Sequence, residues 1–302
     1  MSLLLGLLLV FLLFLIGAAF VILIIGPLIL LQPERRTREW YAQRTTLLEP
    51  RDAGLPEEEL TITTFDGLKL HAWLIAQREQ ARGTIIYLHG VGDCKIGGIA
   101  LARFFFNHGF HVFLYDSRQH GESEGQYCTY GYYEKRDVAT VIDYLKSRND
   151  FNAGKIGIFG TSMGAAVAIQ AAAIDPRISA VVAEASFTDL RTITVDYQRR
   201  IAKLPWHFLR NVALIRSQQV AGFKAREVSP LNDVKRLTTP ILFIHGTQDE
   251  LVSVAYSKQL FEAAVGPKDL LLVEGANHND VWEVGGTVYE RKIIDFFERY
   301  LS

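Results

Sequence analysis

Cysteine is almost missing: two in 302 residues, which excludes a fold stapled by a disulfide framework and leaves Cys94 and Cys128 expected as free thiols. Net charge is also close to nil, with 32 Lys and Arg against 33 Asp and Glu and a formal charge of −1. A nucleic-acid binder usually carries a basic face, and the balance argues against one. No internal repeat is visible, and no low-complexity tract outside the N-terminus.

The longest absence is of charge itself. Residues 3–31 hold no charged and no strongly polar side chain. About 20 apolar residues at about 1.5 Å each cross a bilayer, so this run is long enough, with room for tilt or for a bend at Gly26-Pro27. A cleaved signal peptide would have a positive start and a shorter apolar core. Here no Lys or Arg precedes the run, so a retained single-pass anchor over residues 1–31 is expected. Arg35, Arg36, Arg38 and Arg44 follow it, and the positive-inside rule then puts the rest of the chain on the cytoplasmic side.

What remains fits one large domain. A polar linker is expected over 32–58, with Pro33, Pro50 and Pro56. The segments Leu60–Thr64 and Lys69–Ile75 flank Asp66-Gly67 as a hairpin would. Strand-like and helix-like segments then alternate: Thr84–Leu88 with Ile99–Asn107, Phe110–Tyr115 with Glu134–Lys146, Lys155–Phe159 with Met163–Ile174, then Ala180–Ala183, Ile241–Ile244, Leu270–Val273 and a last helix near Tyr289–Tyr300. Val138, Val141, Ile142 and Leu145 follow the spacing of one buried helical face. Short apolar strands separated by helices predict an α/β fold over 59–302, a mostly parallel sheet covered on both faces. Residues 187–228 break the rhythm with helical character and no strand, as a cap inserted over the carboxyl ends of the strands would.

Gly160-Thr161-Ser162-Met163-Gly164 lies between a strand and an Ala-rich helix, the setting of a G-x-S-x-G nucleophile elbow. Glycines two before and two after the serine let so tight a turn close without Cβ clashes. Serine needs a base, and the base an orienting acid. In this fold the order is Ser, then Asp or Glu, then His. Asp249 follows the strand ending at Ile244, and His278 follows the strand ending at Val273, 29 residues on. That gap holds one helix and one strand, as parallel strands require. Glu250, Glu184 and Asp189 stand as alternative acids; of the seven other histidines, His71, His89, His111 and His245 lie in or beside strands, where a structural role is expected, and His108, His120 and His207 do not follow the last strand. An oxyanion site also needs donors. The backbone N–H of Met163 is one candidate, and that of Val91, in Leu88-His89-Gly90-Val91-Gly92, is the other.

Taken together, LHGVGD, YDSRQHGESEG, GTSMG, HGTQDELV and GANHND resemble, in order and spacing, the α/β-hydrolase superfamily, above all its monoglyceride-lipase-like and serine-aminopeptidase-like branches. The resemblance covers about residues 60–300 and implies Val91 and Met163 as oxyanion donors, the triad Ser162, Asp249 and His278, and no metal or organic cofactor. Asp116 to Gly125 resembles a loop usually written D-x-R-G-x-G-x-S, with Gln119 in place of its first glycine, which puts the loop's shape in question.

Arg191 to Arg226 holds eight Lys or Arg and one acid, Asp196, with Tyr197, Trp206, Phe208 and Phe223 interspersed. Near anionic lipid such a surface would be attracted to the membrane. The expected activity is therefore hydrolysis of a lipid-like ester or thioester. An amidase or peptidase using the same triad, and a non-catalytic binding module on the same fold, are the rivals.

Overall fold

The structure is a computed structural model and describes residues 3–198 and 207–302. Eight strands make one sheet: β1 (Glu58–Thr63), β2 (Lys69–Ile75), β3 (Thr84–Leu88), β4 (His111–Tyr115), β5 (Ile156–Thr161), β6 (Ile178–Glu184), β7 (Ile241–Gly246) and β8 (Lys268–Val273). Their spatial order is β1-β2-β4-β3-β5-β6-β7-β8. β2 runs antiparallel to both neighbours, and every pair from β4 to β8 is parallel. The hairpin turns where it was expected, with Gly67 supplying a φ of 88°.

β3 and β4 are buried along their whole length, so their alternate side chains feed two different cores. Ile86, Leu88, Phe113 and Tyr115 face the helices Glu134–Ser147 and Met163–Ala172. Ile85, Tyr87, Val112 and Leu114 face Ile99–Asn107 and Val281–Leu301. The last helix begins eight residues earlier than its periodicity suggests, because Gly286, at φ 48° and ψ −136°, kinks it and resets the phase of its apolar face. Between β6 and β7 the described residues hold the helices Leu190–Tyr197, His207–Ala221 and Pro230–Val234 and no strand. Arg199, Arg200, Lys203 and Trp206 lie outside the described residues. Phe223 is buried against Tyr132 rather than offered to a surface.

Among the described residues, one helix is long and apolar enough to cross a membrane, over Leu3–Leu31. It widens into a π-helical turn at Val21–Ile25 before Gly26–Leu31. Proline has no N–H to give and its ring crowds the carbonyl four residues back. The wider turn ahead of Pro27 accommodates that while the backbone stays helical.

The 32–58 segment, expected as a polar linker, is folded onto the domain. Thr37 caps a short helix, Arg38–Ala42, and Glu49 with Asp52 forms a capping box at Pro50–Ala53. Tyr41 and Leu55 are buried in the second core, with Trp40, Leu47 and Leu48 packed against it. Cys94 and Cys128 are free and buried.

Phe297 is the anchor of that second core. It is fully buried, touches Phe105 and Phe110 edge-on, and fits because Gly157 has no Cβ, which would stand 2.8 Å from its ring. Phe297→Ala should cost about 3–5 kcal/mol, read as a lower urea midpoint at unchanged slope; a loss below about 1 kcal/mol would show that the core does not depend on this ring.

Candidate active site

At the end of β5 the chain turns into the helix Met163–Ala172 through Ser162, held at φ 53° and ψ −114°. A non-glycine residue in this region is strained, and surrounding contacts have to over-determine it. The contacts are close. A Cβ on Gly160 would stand 2.3 Å from the Gly164 carbonyl oxygen, and one on Gly164 would stand 2.0 Å from that of Leu88. Ser162 N–H donates to the Glu184 carbonyl at 2.8 Å. All ten residues of the following helix are buried, which explains its run of small side chains.

The loops after β7 and β8 are bound together before they present anything. Gln248 N–H donates to the Ala276 carbonyl at 2.9 Å and Thr247 N–H to that of Val273 at 3.0 Å; Glu250 N–H reaches Asn277 Oδ1 at 3.2 Å. Between them Asp249 Oδ2 lies 2.7 Å from His278 Nδ1. Asp249 Oδ1 accepts from the N–H groups of Leu251 and Val252, at 2.8 and 2.7 Å. Burial pushes the Asp249 carboxyl up, but hydrogen bonds from His245 and His278 and the backbone donors outweigh it and hold the group well below the usual carboxylate range.

Ser162, His278 and Val91 line one cavity of about 180 Å³, together with Arg36, Glu184 and Tyr197. Gly90 is near enough that its missing Cβ would stand 3.5 Å from that of Ser162. Met163 opens the elbow helix. Of the alternative acids, Asp189 caps the helix Leu190–Tyr197 through Thr192, and Glu250 is exposed. Glu184 lines the cavity but accepts from Tyr289 Oη at 2.5 Å, and burial raises its carboxyl.

A residue that sequence reasoning set aside as structural joins this group. His245, fully buried on β7, has Nε2 3.1 Å from Asp249 Oδ2 and 2.9 Å from the Val252 carbonyl, while Nδ1 lies 2.7 Å from Ser257 Oγ. The available signal was an inward histidine on an apolar strand: both ring nitrogens need partners, and the next carboxylate along the chain is Asp249.

The chain also has relatives among known proteins. Residues 79–229 match the family described as serine aminopeptidase, S33. The protein YqkD of Bacillus subtilis (strain 168) is 32% identical over 217 residues, 71% of each chain. The α/β hydrolase domain-containing protein WAV2 of Arabidopsis thaliana is 27% identical, over 84% of this chain and 82% of its own. Among solved structures, the Pyrococcus furiosus esterase Pf2001 superposes with a TM-score of 0.71 at 26% identity, covering 84% of this chain and 96% of that one.

The loop with the missing glycine takes a backbone conformation open to glycine, at a cost. Gln119 sits at φ 66°, a conformation that strains a residue with a Cβ by about 1–2 kcal/mol, and its side-chain amide points to the Pro33 carbonyl at 3.5 Å. Next to it His120 is fully buried, with Nδ1 on the Arg118 carbonyl at 2.9 Å and its ring 5.0 Å from that of His89. Burial first, and then the neighbouring His89, pull its pKa down to about 3. In the unfolded chain it titrates near 6.5, so below that pH the unfolded state takes a proton the native state refuses. The stability this neutral ring contributes is complete above about pH 6.5 and lost as pH falls toward 3. Between pH 6 and 4 the native protein should lose about 1.4 kcal/mol per pH unit more than His120→Gln does; parallel stability-against-pH curves would refute this.

Proposed function

Because the chain belongs to the serine aminopeptidase S33 family of α/β-hydrolases, we propose that it is a membrane-anchored serine hydrolase, cleaving a lipid-like carboxylic ester or thioester through an acyl-enzyme on Ser162. The observation that carries this reading is the 2.7 Å contact between His278 Nδ1 and Asp249 Oδ2, made by a histidine that lines the same cavity as Ser162. With Nδ1–H donated to the carboxylate, Nε2 carries the lone pair that a general base needs.

Ser162 Oγ attacks the acyl carbon while His278 Nε2 takes its proton. The tetrahedral oxyanion is met by the N–H groups of Met163 and Val91, donors that cost no reorganisation when charge develops. Collapse breaks the bond to the leaving oxygen or sulfur, which receives the proton from His278. Water, deprotonated by the same nitrogen, then releases the acid and restores Ser162. Asp249 orients the ring and stabilises the imidazolium. His245 positions Asp249.

Retention of the N-terminal helix is supported by how its end is held. The Leu31 carbonyl accepts from Cys128 N–H at 2.8 Å, the Leu30 carbonyl from Tyr130 Oη at 2.8 Å, and Leu31 is fully buried. A cleaved leader would have no need of such contacts. Arg35, Arg36, Arg38 and Arg44 support a cytoplasmic catalytic domain through the positive-inside rule. The esterase among the structural neighbours favours oxygen esters. The family's aminopeptidase description favours an amide as the second reading, and the two are separated by turnover of p-nitrophenyl esters against p-nitroanilides.

In sealed vesicles of known orientation, a fluorophosphonate should label the wild-type chain and not Ser162→Ala, and His278→Ala should lower ester turnover at least about a thousandfold. Absence of labelling in folded wild type would overturn the reading.

A further inference from the structure

Two cavities meet at Val91, Tyr197 and Leu251. One is the small cavity holding Ser162 and His278. The other, of about 530 Å³, is walled on one side by Ile29, Leu30 and Pro33 at the end of the N-terminal helix, and on the other by Ala213 and Leu214 of the helix His207–Ala221. The two helices lie close enough that a Cβ on Gly26 would stand 3.2 Å from that of Ala213. A volume of this size is ordinary for a small-molecule site, and its shared residues place it in line with Ser162.

The wall's origin decides what would fill the space. From Leu3 to Ile25 the helix carries most of its large apolar side chains outward, and Ile29, at the lip of the cavity, is 68% exposed. A helix of this kind seated in a bilayer brings that lip to the lipid surface. An acyl chain leaving the hydrocarbon there passes from one apolar environment to another and never meets water, so the transfer avoids the cost of hydrating each methylene. The channel then contributes alignment of the acyl carbon with Ser162 rather than raw affinity.

We infer that Gly26–Leu31, besides tethering the enzyme, forms one wall of an acyl-chain channel by which a long-chain lipid ester reaches Ser162 sideways from the membrane. This rests on the reading of Ser162 as nucleophile, and two readouts keep the claims apart. The first uses the full-length protein in phosphatidylcholine vesicles and kcat/KM for p-nitrophenyl palmitate relative to acetate. Ile29→Trp and Ala213→Trp, which fill the channel from opposite walls, should lower that ratio at least about tenfold, while Leu12→Trp, higher on the same helix, should leave it as in wild type. Equal ratios in all four folded proteins would overturn the inference even though Ser162 is active.

The second readout needs no chemistry at Ser162. A fatty acid carrying a terminal diazirine is photolysed with Ser162→Ala in the same vesicles, and the crosslinked residues are mapped by mass spectrometry. Crosslinks to Leu30, Ala213 or Leu214 are expected. Crosslinks confined to residues 3–25, which any lipid-facing helix would give, overturn the channel whatever becomes of the catalytic reading.

Discussion

The helix Met163–Ala172 lies against β3 with no space for even one methyl group between them: Gly164 approaches the Leu88 carbonyl so closely that a Cβ would stand 2.0 Å away. That approach forces the turn before it to be tight, the turn puts Ser162 in its strained conformation, and the strain aims the side chain out of the sheet's edge. It also fixes the distance from the serine to the Gly90–Gly92 turn, which continues directly from Leu88. The other half of the site is assembled in the same manner one layer over, where Gly246 lets the loops after β7 and β8 touch; a Cβ there would stand 2.4 Å from the Ala276 carbonyl oxygen. Close backbone approaches therefore set the coordinates, and side-chain hydrogen bonds refine them.

Such approaches leave a trace in sequence because only glycine satisfies them, and this is what singles out Ser162, Asp249 and His278 as candidates in the chain alone. Each follows a short apolar strand and sits beside a glycine or a turn. The sheet was legible for the same reason: strands buried on both faces have to be almost wholly apolar. What was not legible lay in contacts between distant segments. The stretch 32–58 has the polar composition of a linker, yet its few apolar residues, Tyr41 and Leu55 above all, complete the second core. His245 was set aside because a histidine on a strand has many uses; its bond to Asp249 depends on how the next loop folds back.

Gln119 joins these two observations. Its positive φ is a conformation open to glycine, and its amide faces Pro33. Around it, Arg35 donates to the carbonyls of Ser123 and Gly125, and Arg36 N–H donates to that of Gly92, the residue after Val91. Arg36 also pairs with Asp93 at 3.5 Å and lies over Trp40. Residues 30–36 thus form a seam that touches the Asp116–Gly125 loop, the turn carrying Val91 and the rim of the cavity at once.

The seam also fixes the enzyme's reach. From Leu31, at the end of the apolar helix, to Arg36, bonded to the turn beside the serine, there are five residues, which even fully drawn out span no more than roughly 17 Å. With the helix seated in a bilayer as proposed, the turn beside Ser162 stays within about that distance of the hydrocarbon, two to three headgroup layers at most. A bond carried far out on a large soluble domain would then lie beyond it, while one buried at the base of a lipid headgroup would meet it directly.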